Sequence, residues 1–242
     1  MKTLIIGAGQ IGTALKEVLS PHHDVYLRDV EPLFLADIEV LQICYPDHDG
    51  FEETTREYIR FYKPTLTIIN SSIRVGMTKK CGNDVVYSPV RGRHPNLIKE
   101  MKSFRKFVSS HNQGKALEAT FYFEKANWPC LISKSPENLE FMKVMSNVHM
   151  GLEVAWRQEV QRMMDVLGID PSEYEAWEKT YRDGYLAVQD FNLIRPIMNP
   201  DPIGGHCILP CIELLKERCP STLLDFILES NEEVKNHRSV IA

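Results

Sequence analysis

Much is missing from this sequence, and each absence removes a class of protein. No apolar run approaches the ~18 residues that a membrane-spanning helix needs, so no association with a membrane is expected. The start, MKTLIIGAG, has neither the long apolar core nor the small-residue cleavage site of a secretory leader. Basic residues do not dominate. The 28 Lys and Arg against 33 Asp and Glu leave a formal net charge of −5, the wrong sign for a nucleic-acid surface. Cysteine is sparse and scattered: six in 242 residues, at 44, 81, 130, 207, 211 and 219, do not read as a disulfide framework. A cytoplasmic protein with reduced thiols is expected. What remains, 43% hydrophobic and 25% charged residues, suits an ordinary globular chain of one large domain or two modest ones.

The most legible stretch is TLIIGAGQIGTALKEVL. Leu4-Ile5-Ile6 is the short apolar run of a buried parallel strand. Gly7, Gly9 and Gly12 follow as G-x-G-x-x-G, and Ile11, Leu15 and Leu19 continue at helical spacing. Gly7 permits a tight turn, Gly9 lets backbone approach a pyrophosphate, and Gly12 lets the helix pack close to the strand. The pattern follows a strand and opens a helix, which is the context a dinucleotide loop requires. Gly7, Gly9, Gln10, Ile11 and Gly12 are therefore candidate cofactor contacts. Asp29 ends the next strand, DVYLRDV, where a carboxylate can accept hydrogen bonds from an adenosine ribose and repel a 2′-phosphate. NAD is favoured; Arg28, adjacent, keeps NADP open as a second choice. S-adenosylmethionine enzymes also use glycine-rich first turns.

Strand-like runs recur at 39–46, 65–70, 84–89 and 104–110, with helical stretches at 51–61 and 114–124 between them. This alternation predicts an α/β fold with a Rossmann-type, doubly wound parallel sheet over residues 1–134. Ligands of such sheets sit at the carboxyl ends of strands. That makes Tyr45-Pro46, Asn70-Ser71-Ser72 and Ser88-Pro89 candidate site-lining loops. The pattern then changes. From Pro136 to Leu167 apolar residues recur at helical spacing, and Gly168 reads as a stop. About 30 residues make a helix about 45 Å long. A helix of that length predicts either a homodimer through residues 136–167 or a spine, within an all-helical domain over 135–242.

Lys143 and Asn147 lie four apart, on one face of that helix. Downstream, NPDPIGGHC puts Gly204 and Gly205 just before His206 and Cys207, with a helix starting near Ile208. The dipole of a helix start favours a thiolate, which would make Cys207 a nucleophile; an inert packed thiol is the equal alternative. A metal site from His206, Cys207 and Cys211 fits no standard zinc spacing, so no metal is expected. A Cys207–Cys211 disulfide one helical turn apart is geometrically possible.

Together these residues resemble the UDP-glucose/GDP-mannose dehydrogenase family, which oxidises a nucleotide-sugar alcohol to a carboxylate with two NAD molecules. IIGAGQIG is similar to its dinucleotide loop, QICYPD to its third-strand loop, and SSIRVGMT (71–78) to its S-T-V-P-x-G-T-T segment. SPENLEFMKVMSN resembles its S-x-x-x-A-E-x-x-K-x-x-x-N helix, and NPDPIGGHCILP its P-G-P-G-x-G-G-x-C-x-P loop. The resemblance spans nearly the whole chain, in order. It implies that Cys207 attacks an aldehyde intermediate, whose second oxidation gives a thioester that water hydrolyses. It further implies that Lys143 and Asn147 stabilise the developing oxyanion, that Ser72 stands where a threonine positions water, and that Ser71, Tyr45 and Pro46 lie along the cofactor.

The sequence departs from that pattern in informative places. Val90 replaces the glutamate after Ser-Pro, and Cys211 the aspartate four residues after the cysteine. The family also continues into a third domain holding much of the UDP-sugar, whereas this sequence stops at Ala242, so a complete UDP-sugar site is not expected. A cationic group, Arg91, Arg93 and His94, stands beside the lost glutamate. With Gly204 and Gly205 it predicts contacts to a small polar, anionic substrate. The expected activity is oxidation of a CH–OH group; cofactor binding without redox activity, or methyl-donor binding, are the alternatives.

Overall fold

The computed structural model describes residues 1–31, 33–93 and 95–241, with side chains through 236. The chain divides into two compact units, 1–144 and 145–242. In the first, strands β1 (Lys2–Ile6), β2 (Asp24–Arg28), β3 (Val40–Ile43), β4 (Leu66–Ile69), β5 (Val85–Tyr87), β6 (Lys106–Ser110) and β7 (Cys130–Ile132) form one sheet. Helices α1 (Gln10–Leu19), α2 (Phe51–Tyr62), α3 (Met77–Cys81), α4 (Leu97–Ser103) and α5 (Gln113–Lys125) separate them. The strand order is β2-β1-β3-β4-β5-β6-β7. The chain steps outward from β1 to β2 and then returns past β1 to β3, which creates a switch point between the carboxyl ends of β1 and β3.

Both faces of the sheet are covered, and β1 explains how. Successive strand side chains alternate faces. Ile5 packs with Leu15, Leu19, Val40, Ile68, Phe123 and Trp128, while Leu4 and Ile6 pack with Leu41, Ile43, Phe51 and Tyr87. A strand covered on both sides has no polar face to spare, hence the unbroken LII. Each such side chain contributes about 1.5–3 kcal/mol on burial. Helix α1 presents Leu15, Val18 and Leu19, a one-face stripe, to the same core.

The expected Rossmann-type α/β sheet is present and mostly parallel, and three details differ. The sheet is not wholly parallel: β6 runs antiparallel to β5, with Val86 opposite Ser110 and Tyr87 opposite Ser109. The edge strand β7, parallel to β6, was not anticipated. Its three residues lie in an apolar run too short to separate from the helix that follows. The strand expected from Phe104 starts at Lys106, because the Phe104 N–H closes α4 on the Met101 carbonyl.

Helix α6 (Pro136–Leu167) has 32 residues, and the boundary between the two units falls inside it. Ser135 Oγ accepts from the Asn138 N–H at its start, and Gly168, at φ +67°, ends it. In the second unit follow α7 (Pro171–Ala187), a 3-10 turn (Phe191–Leu193), α8 (Ile208–Lys216) and α9 (Thr222–Ile241). Asp170 caps α7 by accepting from the Ser172 N–H at 2.8 Å. No described helix is long and apolar enough to cross a membrane.

Candidate functional site

The glycine loop is built by close approach. At Gly7, φ is +102°, and a Cβ there would stand 2.8 Å from the Tyr45 nitrogen. A Cβ on Gly12 would lie 1.9 Å from the Gly7 carbonyl oxygen. The loop after β1 is thus pressed against the loop after β3, at the switch point. Gly9 has nothing within 4 Å of an added Cβ. It precedes α1, whose N-terminus has no side-chain cap and no acidic residue in its first turn. The amide donors of that turn are available to an external anion. A cavity of about 500 Å³ opens there, lined by Ala8, Gly9, Gln10, Thr13, Leu97 and Ile98 among others. Asp29 at the end of β2 accepts from the Ala8 N–H at 3.2 Å, which ties the carboxylate to the loop. Arg28 is committed elsewhere: it donates to Tyr62 Oη at 2.8 Å and to the Glu31 carbonyl, and stacks 5.1 Å from the Tyr58 ring. An open turn of N–H donors, a cavity over it and an acid beside it fit a dinucleotide.

The neighbouring strand ends are locked to one another. Ser71 is buried and its Oγ donates to the Tyr45 carbonyl at 2.6 Å; Tyr45 Oη bonds to Thr55 Oγ1 at 2.7 Å. Pro46 is exposed and Ser72 half-buried. The residue that fixes the 71–78 loop is one that residue spacing did not single out. Glu140, fully buried on α6, accepts from the N–H groups of Gly76 (2.5 Å) and Thr78 (2.8 Å) and from Thr78 Oγ1 (2.5 Å). Burial pushes its carboxyl above the usual range, against the lowering by those three donors. Its signal was its place in the lysine-asparagine motif.

Of the cationic group, Arg91 donates to the Arg105 carbonyl at 2.5 Å and lies 4.8 and 5.2 Å from the Phe104 and Phe107 rings. Burial lowers its pKa. Arg93 pairs with Glu100, which also accepts from the Arg93 N–H. His94 lies outside the described residues. Val90, at the lost glutamate position, is buried.

In the second unit, α8 is seated on α6 at a notch. A Cβ on Gly151 would stand 2.8 Å from Ile208 Cγ2, so only glycine lets the start of α8 come this close. Cys207 occupies the N-cap position of α8 and is exposed, as are Gly204 and Gly205 before it. Asn147 is engaged with the other cysteine: its Nδ2 donates to Cys211 Sγ at 3.1 Å, and Cys211 is buried. Neither Cys207 nor Cys211 forms a disulfide. The loop leading to Cys207 is held by buried amides. Gln158 Nε2 donates to the Asp201 carbonyl at 2.8 Å, and Asn231 Oδ1 accepts from the Ile203 N–H at 2.7 Å. Neither had a sequence signal beyond a polar residue on an otherwise apolar helix face. Lys143, half-buried, lies in the first unit, one helical turn before Asn147.

No protein-family model matches the chain, and no curated protein does. Solved structures do. A UDP-D-ManNAc dehydrogenase from Pyrococcus horikoshii superposes with a TM-score of 0.75 at 16% identity, over 99% of this chain and 70% of that one. The fold is that of the nucleotide-sugar dehydrogenases. A second one, the UDP-glucose dehydrogenase of Pyrobaculum islandicum, matches at 15% identity and TM-score 0.70, over 96% of this chain and 68% of its own. A third solved structure, Mycobacterium tuberculosis 3-hydroxyisobutyrate dehydrogenase, matches at 14% identity and TM-score 0.66, over 99% of this chain and 94% of that one.

Proposed function

We propose that the protein is an NAD-dependent oxidoreductase acting on a CH–OH group of a small, polar, anionic molecule. The observation that carries this reading is the loop after β1, with an uncapped helix start above it and Asp29 bonded to the Ala8 N–H beside it. Gly7, Gly9, Gln10, Ile11 and Gly12 would hold the pyrophosphate, and Asp29 the adenosine ribose; a 2′-phosphate would meet the Asp29 charge. The nicotinamide, when bound, accepts the hydride. Tyr45, Pro46, Ser71 and Ser72 border its path on the adjoining strand ends. Lys143 supplies a positive charge for the alkoxide of the reacting alcohol. Cys207, exposed before α8, is the nucleophile in a four-electron version: its sulfur bonds to the aldehyde carbon, and Lys143 and Asn147 stabilise the resulting oxyanion. Arg91, with Gly204 and Gly205, is assigned to the substrate, and the protein works as a dimer through α6.

One observation favours a two-electron version. Cys211, to which Asn147 donates one of its two amide protons, stands at the position where a carboxylate was expected, so that position offers no general base for thioester hydrolysis. The hydroxyisobutyrate enzyme, matched over nearly its whole length, bears a small hydroxy acid in its name. Calorimetry with NADH, NADPH and S-adenosylmethionine is the decisive test. NADH is expected to bind tightest; tight binding of S-adenosylmethionine alone would replace this reading with a methyl-donor site.

A further inference from the structure

Lys106 opens β6 and is only 2% exposed. Its Nζ donates to the Ser88 carbonyl at 2.7 Å, the Pro89 carbonyl at 3.3 Å and Asn70 Oδ1 at 3.3 Å. The rings of Phe123 and Trp128 lie 5.0 and 4.9 Å from it. Three acceptors match the three protons of an ammonium, and two ring faces stand in for water. Among the described residues no carboxylate pairs with it. An ammonium so deep and without a counter-ion is costly to keep for packing alone, since an apolar side chain could fill the same space.

Its position suggests its use. Asn70 follows β4, and Ser88 and Pro89 follow β5, so the charge lies just beneath the carboxyl ends of those strands. Asp29 lies on the opposite side of the switch point, at the end of β2. A dinucleotide whose ribose meets Asp29 crosses the switch point towards the later strands. We propose that Lys106 is a buried charge beneath the nicotinamide half of the cofactor site, which biases binding towards the reduced dinucleotide, whose ring is neutral, over the oxidised one, whose ring is cationic. This rests on the nicotinamide reading of the site.

Burial pushes Lys106 down to about 7. The ionisable groups that face it are Cys44 after β3, Cys130 on β7, Arg91 after β5 and Lys143 on α6. Burial pushes the thiols up to about 12 and about 11, so they stay neutral near pH 7. Arg91 stays cationic there. Between pH 6 and 8.5 Lys106 changes charge: present below about 7, where it opposes the oxidised ring, and lost above it. At an effective dielectric of about 20, a unit charge one side-chain layer away shifts binding of a cationic ring on the order of tenfold.

The test is the ratio of dissociation constants, NAD over NADH, for the full chain at pH 6 and pH 8.5. The wild-type ratio is expected to fall about tenfold as pH rises; in Lys106→Met it should be flat, at the high-pH value. Should that variant not fold, Asn70→Asp serves. It sets a carboxylate against the ammonium, holding it charged and neutralised across the range, so its ratio is also flat. Gln42, whose Nε2 has no partner, can turn its amide to donate to the new oxygen. A pH-independent wild-type ratio, or wild-type pH dependence in Lys106→Met, overturns the proposal while leaving the cofactor reading intact. Failure of both dinucleotides to bind overturns the two together.

Discussion

Glu140→Ala removes a buried carboxylate from the end of a loop, and its cost follows from the contacts. Two backbone N–H groups and one hydroxyl lose their acceptor at a site where Glu140 is fully buried. Hydrogen bonds to a charged group are worth about 1.5–3 kcal/mol each, and part of that is returned because the carboxylate no longer has to be desolvated. The net expectation is a loss of about 3 kcal/mol. For a chain of 242 residues this lowers the melting temperature by roughly 6–12 °C. Glu140→Gln keeps one acceptor oxygen and fills the space, so it should cost less than half as much. The pH dependence distinguishes this account from simple loss of volume. Because burial holds the folded-state pKa above the ordinary value, the native state binds the proton more tightly than the unfolded one. Stability from this group is therefore full below the unfolded carboxylate pKa of about 4.3 and falls as pH rises through the folded value. The advantage of wild type over Glu140→Gln should shrink over that interval, read from urea midpoints at successive pH values. A Glu140→Ala protein that melts within about 1 °C of wild type would refute the reasoning, as would a wild-type advantage that grows with pH.

Three further outcomes are expected. Asp29→Ala should weaken NADH binding about tenfold, by loss of one charged hydrogen-bond acceptor, while NADPH loses less; equal losses for both would remove Asp29 from the ribose site. Of the six thiols only Cys207 and Cys219 are exposed, so a thiol reagent should modify two rapidly and one in Cys207→Ser. That variant should still consume alcohol but form no acid, and wild-type yields of carboxylate would eliminate Cys207 as nucleophile. Exposed apolar residues on α6, including Trp156 and Val166, support a dimer; Val166→Glu should give a monomer in solution scattering, and a monomeric wild type would dispose of the interface.

The parts of the fold legible in the sequence were those whose signal is local. Gly7 and Gly12 are required because a Cβ at either would stand 2.8 or 1.9 Å from neighbouring backbone, so their spacing stated the turn in advance. The length of α6 and the starts of α7 at Pro171 and α8 at Ile208 were equally plain, from proline, aspartate and apolar period. The direction of β6 was not: a run such as FVSS has the same alternation whichever way it pairs, and only its partner decides. Of the candidate site, the sequence spacing put Asn147 on the face of Lys143 but could not say that its amide would meet Cys211. Glu140 and Lys106 were illegible as buried charges, because burial comes from the elements packed over them and not from their neighbours in the chain.

The polar row through the sheet, Gln42 to Asn70 to Lys106, has a consequence for how the chain reaches its fold. Strands β3 and β4 are four residues each and buried on both faces, VLQI beside LTII, with Gln42 opposite Ile68. Such strands carry no wet face to forbid sliding, and hydrophobicity alone would accept either neighbour one pair along. A two-residue slip, about 7 Å, would part Asn70 from Gln42 and leave the Lys106 ammonium short of an acceptor in an apolar interior. The penalty is several kcal/mol. Buried polarity thus acts as a proofreading step in folding: misaligned sheets are rejected because one amine has too few carbonyls to hold.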